Sequence, residues 1–148
     1  FLIIFFILCV LMQICIGAFV SGLNAGQIYQ SWPLMNQGYF PDDSKIKDLL
    51  SLKAFEIPSI VQFIHRNIAY FIIILFGFIT FVVFRDNKLF YLRKTTSFVL
   101  VIIFFQIILG ILTILSGAQI FLGSMHQIGS IILVTASVIL LFKNTSIN

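Results

Sequence analysis

The stretch VQFIHRNIAYFIIILFGFITFVVF, residues 61–84, decides how this chain folds. With Pro58 at its head, well placed to start a helix, it is long enough to cross a hydrocarbon layer, which takes about 20 mostly apolar residues. Yet it sets His65, Arg66 and Asn67 side by side near its start. Each of these groups is costly in lipid unless it has a partner. The segment therefore reads as a membrane helix that carries part of a site.

Three further runs have the same character: 1–20, broken only by Gln13, then 97–115 and 122–142. Of the 148 residues, 60% are hydrophobic and 9% charged, and 18 are Phe. Mean hydropathy is +1.12. A soluble domain carries about 25% charged residues, so the composition excludes one. The expected fold is all-α: a polytopic membrane protein with one domain over 1–148 and four transmembrane helices (1–20, 58–84, 97–115, 122–142). A tight turn at SGAQI joins the last two as a hairpin. The chain opens FLIIFFILCV, with neither Met nor the basic start of a signal peptide, and is read as a fragment of a longer protein. Cys9 and Cys15, six residues apart, fall on different helix faces and are read as small packing residues.

Lys and Arg in the loops set the orientation. Between the second and third spans, RDNKLFYLRK holds Arg85, Lys88, Arg93 and Lys94 against Asp86. This is the cytoplasmic or matrix-side loop. Lys143 in the C-terminal tail, KNTSIN, agrees with it. The loop 21–57 has no positive excess and is placed outside, so both termini lie inside. Within that loop, DSKIKDLLSLKAF has apolar residues at Ile46, Leu49, Leu50 and Leu52, spaced for a short interfacial helix. Tyr29, Trp32, Tyr39 and Phe40 suit the headgroup level. The loop is either a plain connection or a lid over an outer site. The formal net charge of +4 includes no basic cluster that would indicate nucleic acid.

The only two histidines, His65 and His126, stand near the outer starts of the second and fourth spans, about two turns and one turn in. An internal repeat underlies this match. QICIGAFVSG (13–22) and QIILGILTILSG (106–117) each carry a Gln, a Gly four residues on and a Ser-Gly exit, and each precedes an outside-to-inside helix with one His near its start. Two hairpins alike in direction imply a pseudo-twofold axis along the membrane normal, a parallel repeat. Such an axis brings two equivalent imidazoles together, as a planar cofactor ligated from both faces requires. Small or polar neighbours line the same faces: Gln13 and Gly17, Ala69, Gln106, Gly110, Thr113 and Gly117, and Gly123, Gly129 and Ser130. A haem in a four-helix bundle fits this pattern. The alternative is ordinary helix packing on small residues, with each His an interhelical hydrogen-bond donor. A zinc site wants more protein ligands than two. Arg66 is a natural partner for a haem propionate, or else it snorkels to phosphate or water. Asn67 and Gln127 are less specific.

GAFVSGLNAGQIYQSWPLM, VQFIHRNIAY and LGSMHQIGSIILV together resemble the C-terminal half of the haem A synthases, over nearly the whole chain. The resemblance implies an oxidoreductase of cytochrome oxidase assembly that converts a ring methyl of haem O to the formyl of haem A, built as two pseudo-symmetric four-helix halves. It implies haem b as the cofactor of this half, with His65 and His126 as axial ligands and Arg66 beside them. It further implies an N-terminal half that carries the substrate haem O, and a setting in the bacterial inner or mitochondrial inner membrane. Haem O synthase and an electron donor are the expected partners, together with the lipid bilayer. In the family's other half a glutamate stands three residues before the histidine. Gln62 stands there in this chain and cannot act as a base, so no catalytic residue is assigned and the chain alone is expected to be inactive. A different function class is a b-type cytochrome subunit that only transfers electrons.

Overall fold

A computed structural model describes residues 1–146, the Leu52 side chain apart. It is all-α: α1 (Leu2–Gly22), α2 (Pro58–Arg85), α3 (Arg93–Leu115) and α4 (Ile120–Ser146). All four are long and apolar enough to cross a membrane. Each expected span lies on its helix to within a residue. The helices run on past the apolar stretches because hydropathy marks the part matched to lipid, not the last hydrogen-bonded turn. Thus α3 begins at Arg93 rather than Ser97, and α4 takes in the tail as far as Ser146. The last two tail residues, Ile147 and Asn148, lie outside the described residues.

Local chemistry fixes the helix ends. Pro58 opens α2 after an extended Ile57. Beyond α1, Leu23 N–H reaches Phe19 O at 2.9 Å, and Asn24 takes the left-handed conformation at φ 51°, which asparagine tolerates. The α3–α4 turn is made by Gly117 and Ala118, at φ 71° and 61°. Between α2 and α3, the Asp86 carboxylate accepts from Lys88 N–H at 2.8 Å. Arg93 ties this basic turn to the helix before it. Its guanidinium donates to Phe84 O at 2.8 Å and lies over the rings of Phe84 and Phe90.

The helices close into a ring in chain order. Hairpin α1–α2 packs on hairpin α3–α4 through α2–α3 and α1–α4 contacts. Helices α2 and α4 are therefore diagonal partners that face each other across the interior.

Lengthwise, the bundle divides in two. The apolar core consists of Ile3, Phe6, Cys9 and Val10 on α1, Ile72, Phe76, Ile79 and Val83 on α2, Val99 and Ile103 on α3, and Leu133, Ala136 and Leu140 on α4, closed by Leu92. Every one of these lies in the half near the 86–92 turn. The half under the long 23–57 loop contributes none. Gln13, Gly17, Gln62, His65, Arg66, Gln106, Gly110, His126 and Gly129 occupy that loop-side half. Cys9 is buried in the core and Cys15 is exposed, on different faces as expected.

The long loop folds back over the bundle. A Cβ at Gly26 would come within 3.1 Å of Ala118 Cβ, and one at Gly117 would meet the Gln30 amide at 3.2 Å. The loop thus rests on the α3–α4 turn. Where one interfacial helix is expected, two short 3-10 helices stand instead, Ile46–Leu50 and Leu52–Glu56. Ser51 interrupts them: it is extended, and its hydroxyl accepts from Lys53 N–H at 3.2 Å. Local side-chain bonding of this kind competes with helix continuation. Trp32 and Tyr39 are exposed, but Tyr29 is 4% exposed. Tyr29 is thus a packed part of the loop rather than a headgroup anchor. Its hydroxyl accepts from Asp43 N–H at 3.3 Å.

Candidate functional site

Because α4 begins at Ile120, His126 falls in its second turn, as His65 does in α2. The depths match more closely than the apolar runs alone imply. Each imidazole lies on a glycine of the helix before it. A Cβ on Gly17 would stand 3.2 Å from His65 Cε1, and a Cβ on Gly110 would stand 3.2 Å from His126 Cε1. The same ring atom meets the same repeat position in both hairpins. This gives the Gln-x-x-x-Gly element its physical reason: the glycine is the seat of the imidazole.

The glutamines of the repeat behave differently. Gln13 Nε2 donates to His65 O at 2.9 Å and lies 3.3 Å from His65 Nε2. Gln106 leans instead on Gly129, where any Cβ would collide with its amide. Gly129 stands three residues after His126. The matching α2 residue is Ile68.

Unpartnered polar atoms gather here. Gln13 Oε1, Gln62 Oε1, His65 Nδ1, Arg66 Nε and His126 Nδ1 are buried without a hydrogen-bond partner, and among the described residues only Thr96 Oγ1 adds to them from elsewhere. Each such group costs about 1–3 kcal/mol. Their concentration in one half of a helical bundle marks a place built for something other than packing.

Arg66 is buried at 7% exposure and is held by the loop. It donates from Nη2 to Tyr29 O at 3.1 Å and from Nη1 to Leu34 O at 3.3 Å. Gln62 Nε2 donates to the same Tyr29 O at 2.9 Å. One turn of α2 thus carries a histidine on its interior face and a two-residue clamp on the loop beside it. Composition gave no signal of this clamp, since backbone carbonyls as partners are invisible in a sequence. Asn67 donates to Phe63 O in its own helix at 2.8 Å and accepts from the Tyr39 hydroxyl. Gln127 is exposed. Among the described residues, no three His, Cys, Asp or Glu side chains come together.

Fold and site together define a multi-pass helical membrane protein with paired imidazoles inside the bundle. The family model described as cytochrome oxidase assembly protein matches residues 1–138, and the chain belongs to that family. It is 42% identical over 137 residues to a protein named Heme A synthase in Pelagibacter ubique, covering 93% of this chain and 40% of the relative. Proteins of the same name in Flavobacterium psychrophilum and Bartonella tribocorum are 38% and 40% identical, covering 86% and 82% of this chain and 38% and 34% of theirs. The chain thus spans two fifths or less of the length of these relatives. No solved structure matches it.

Proposed function

We propose that this chain is the haem-b-binding half of a haem A synthase, with His65 and His126 as the axial ligands of one iron. The observation that carries this reading is the repeated seat: two imidazoles on diagonal helices, each on a glycine, in the half of the bundle outside its main apolar cluster. A porphyrin supplies four nitrogens and asks the protein for two more, which is the donor set present. The name shared by the relatives supports the same reading.

Haem b, when bound, supplies one-electron transfer. The chain's own residues do the rest. Gly17 and Gly110 let the imidazoles lie against the helix backbone, and the 23–57 loop limits water at the exposed edge. Arg66, with Nε unpartnered, offers a donor for a propionate. Gln62 has an amide where the other half of the family carries a glutamate, so the oxidation of the haem O methyl to the formyl of haem A belongs to a partner half, and this chain alone is inactive. Haem O synthase and an electron donor are the further partners. The basic loop 85–94 and both termini face the cytoplasm or matrix, in a bacterial inner or mitochondrial inner membrane.

The test is a reduced-minus-oxidised optical spectrum of the chain in mild detergent, with pyridine extraction. The expected result is a low-spin b-type signal near one haem per chain. A colourless protein that cannot be reconstituted would sink the reading. A second measurement checks the seat. Gly110→Leu should lose most of the bound haem while helix content holds, because the new side chain takes the place of the His126 ring. Gly77→Leu is the control, since a Cβ there meets nothing within 4 Å, and it should keep its haem.

A further inference from the structure

We infer that Gln13 is a positioning residue that sets the tautomer of His65, holding the proton on Nδ1 and leaving the Nε2 lone pair free to ligate. The inference deepens the reading above and rests on it only for what that lone pair is for.

The orientation of the Gln13 amide is fixed by its neighbour. At 2.9 Å from the amide stands the backbone oxygen of His65, which can only accept. The amide group facing it must therefore be the NH2. The carboxamide oxygen turned that way would set acceptor against acceptor. The same nitrogen lies 3.3 Å from His65 Nε2. An amide NH2 has two hydrogens to donate and no lone pair to accept with. With one hydrogen on the backbone oxygen, the other points at the ring, and Nε2 must be the unprotonated nitrogen. In a neutral imidazole the proton then sits on Nδ1. A ligating imidazole has its tautomer fixed in this way by an outer partner. Here the constraint comes from the Nε2 side, through a weak donor that a metal can displace.

The repeat supplies an internal comparison. Gln106 holds the matching position on α3, but Gly129 gives its amide another place to rest. His126 therefore has no side-chain donor on Nε2. The two imidazoles are equivalent in seat and unequal in their glutamine partner: Gln13 faces His65, whereas the Gln106 amide occupies the space at Gly129.

The test uses the full chain in lipid nanodiscs, prepared from a haem-deficient host with 15N-labelled histidine, in a His126→Ala background that leaves one imidazole. Solid-state NMR should show a pyridine-type Nε2 and a pyrrole-type Nδ1 for His65. Gln13→Leu, which keeps the volume and removes the donor, should move signal into a pyrrole-type Nε2. Gln13→Glu, which can only accept when ionised, should convert Nε2 to the protonated form almost completely. With both histidines restored, haem capture by Gln13→Leu should be slower than wild type while the low-spin spectrum of the loaded form persists. A protonated Nε2 in the wild-type glutamine form would overturn the inference, as would a tautomer indifferent to both substitutions. The NMR readout involves no haem. An absent b-type spectrum would sink the cofactor reading without touching the tautomer result, so the two failures are distinguishable.

Discussion

Replacing His126 with alanine is expected to abolish the low-spin b-type spectrum, and replacing His65 is expected to do the same. On the proposed ligation, each change would remove one of the two protein nitrogens offered to the iron and so end the low-spin state. Loss of a supporting outer partner typically costs about 10–100-fold in metal affinity, so loss of a ligand should weaken retention by more than about 100-fold. The two variants should resemble each other, because each ring sits on its glycine with the same 3.2 Å approach. Optical spectra and haem content per chain, with helix content as the folding control, check this. If one substitution destroys the low-spin signal and the other leaves it intact, paired ligation is wrong.

Arg66→Ala is expected to release the long loop. The guanidinium donates to two loop carbonyls, Tyr29 O and Leu34 O, and hydrogen bonds to a charged group contribute about 1.5–3 kcal/mol. The carbonyls are not orphaned by its loss. Gln62 still donates to Tyr29 O, and the Ser31 hydroxyl still donates to Leu34 O at 2.9 Å. The net effect should therefore fall near the value of one such bond. Hydrogen exchange of amides in residues 29–40 should speed up by about 10–100-fold, with α3 unchanged, as expected for a local opening. Arg66→Lys should restore little, because a single ammonium cannot reproduce a planar fork that reaches two oxygens. Loop exchange that stays at wild-type rates in Arg66→Ala would show that the clamp lies elsewhere.

The helices were legible in the sequence because lipid imposes a single rule of length and apolarity. The matched placement of the two histidines, each on a glycine of the preceding helix, was legible because a repeat of small polar elements stands out against Ile, Leu and Phe. What could not be read was anything decided by backbone geometry or by competition among neighbours. Tyr29 reads as a headgroup aromatic, since an exposed and a buried tyrosine look alike in sequence, yet its carbonyl is the point on which Gln62 and Arg66 converge. The interfacial helix dissolves into two short turns because Ser51 bonds locally. Gln13 and Gln106 are the same residue at the same repeat position. They nonetheless meet different partners, His65 for Gln13 and the space at Gly129 for Gln106.

The confinement of the apolar core to one end of the bundle also bears on assembly. A helical bundle held together at its far end behaves like a cup rather than a rod. The residues around the histidines lie apart from the contacts among Phe6, Phe76, Val99 and Leu140. A flat, rigid ligand can then be received after the chain has inserted and folded. On the proposed function, maturation would then divide into two separable events, insertion of a stable base and later filling of its rim.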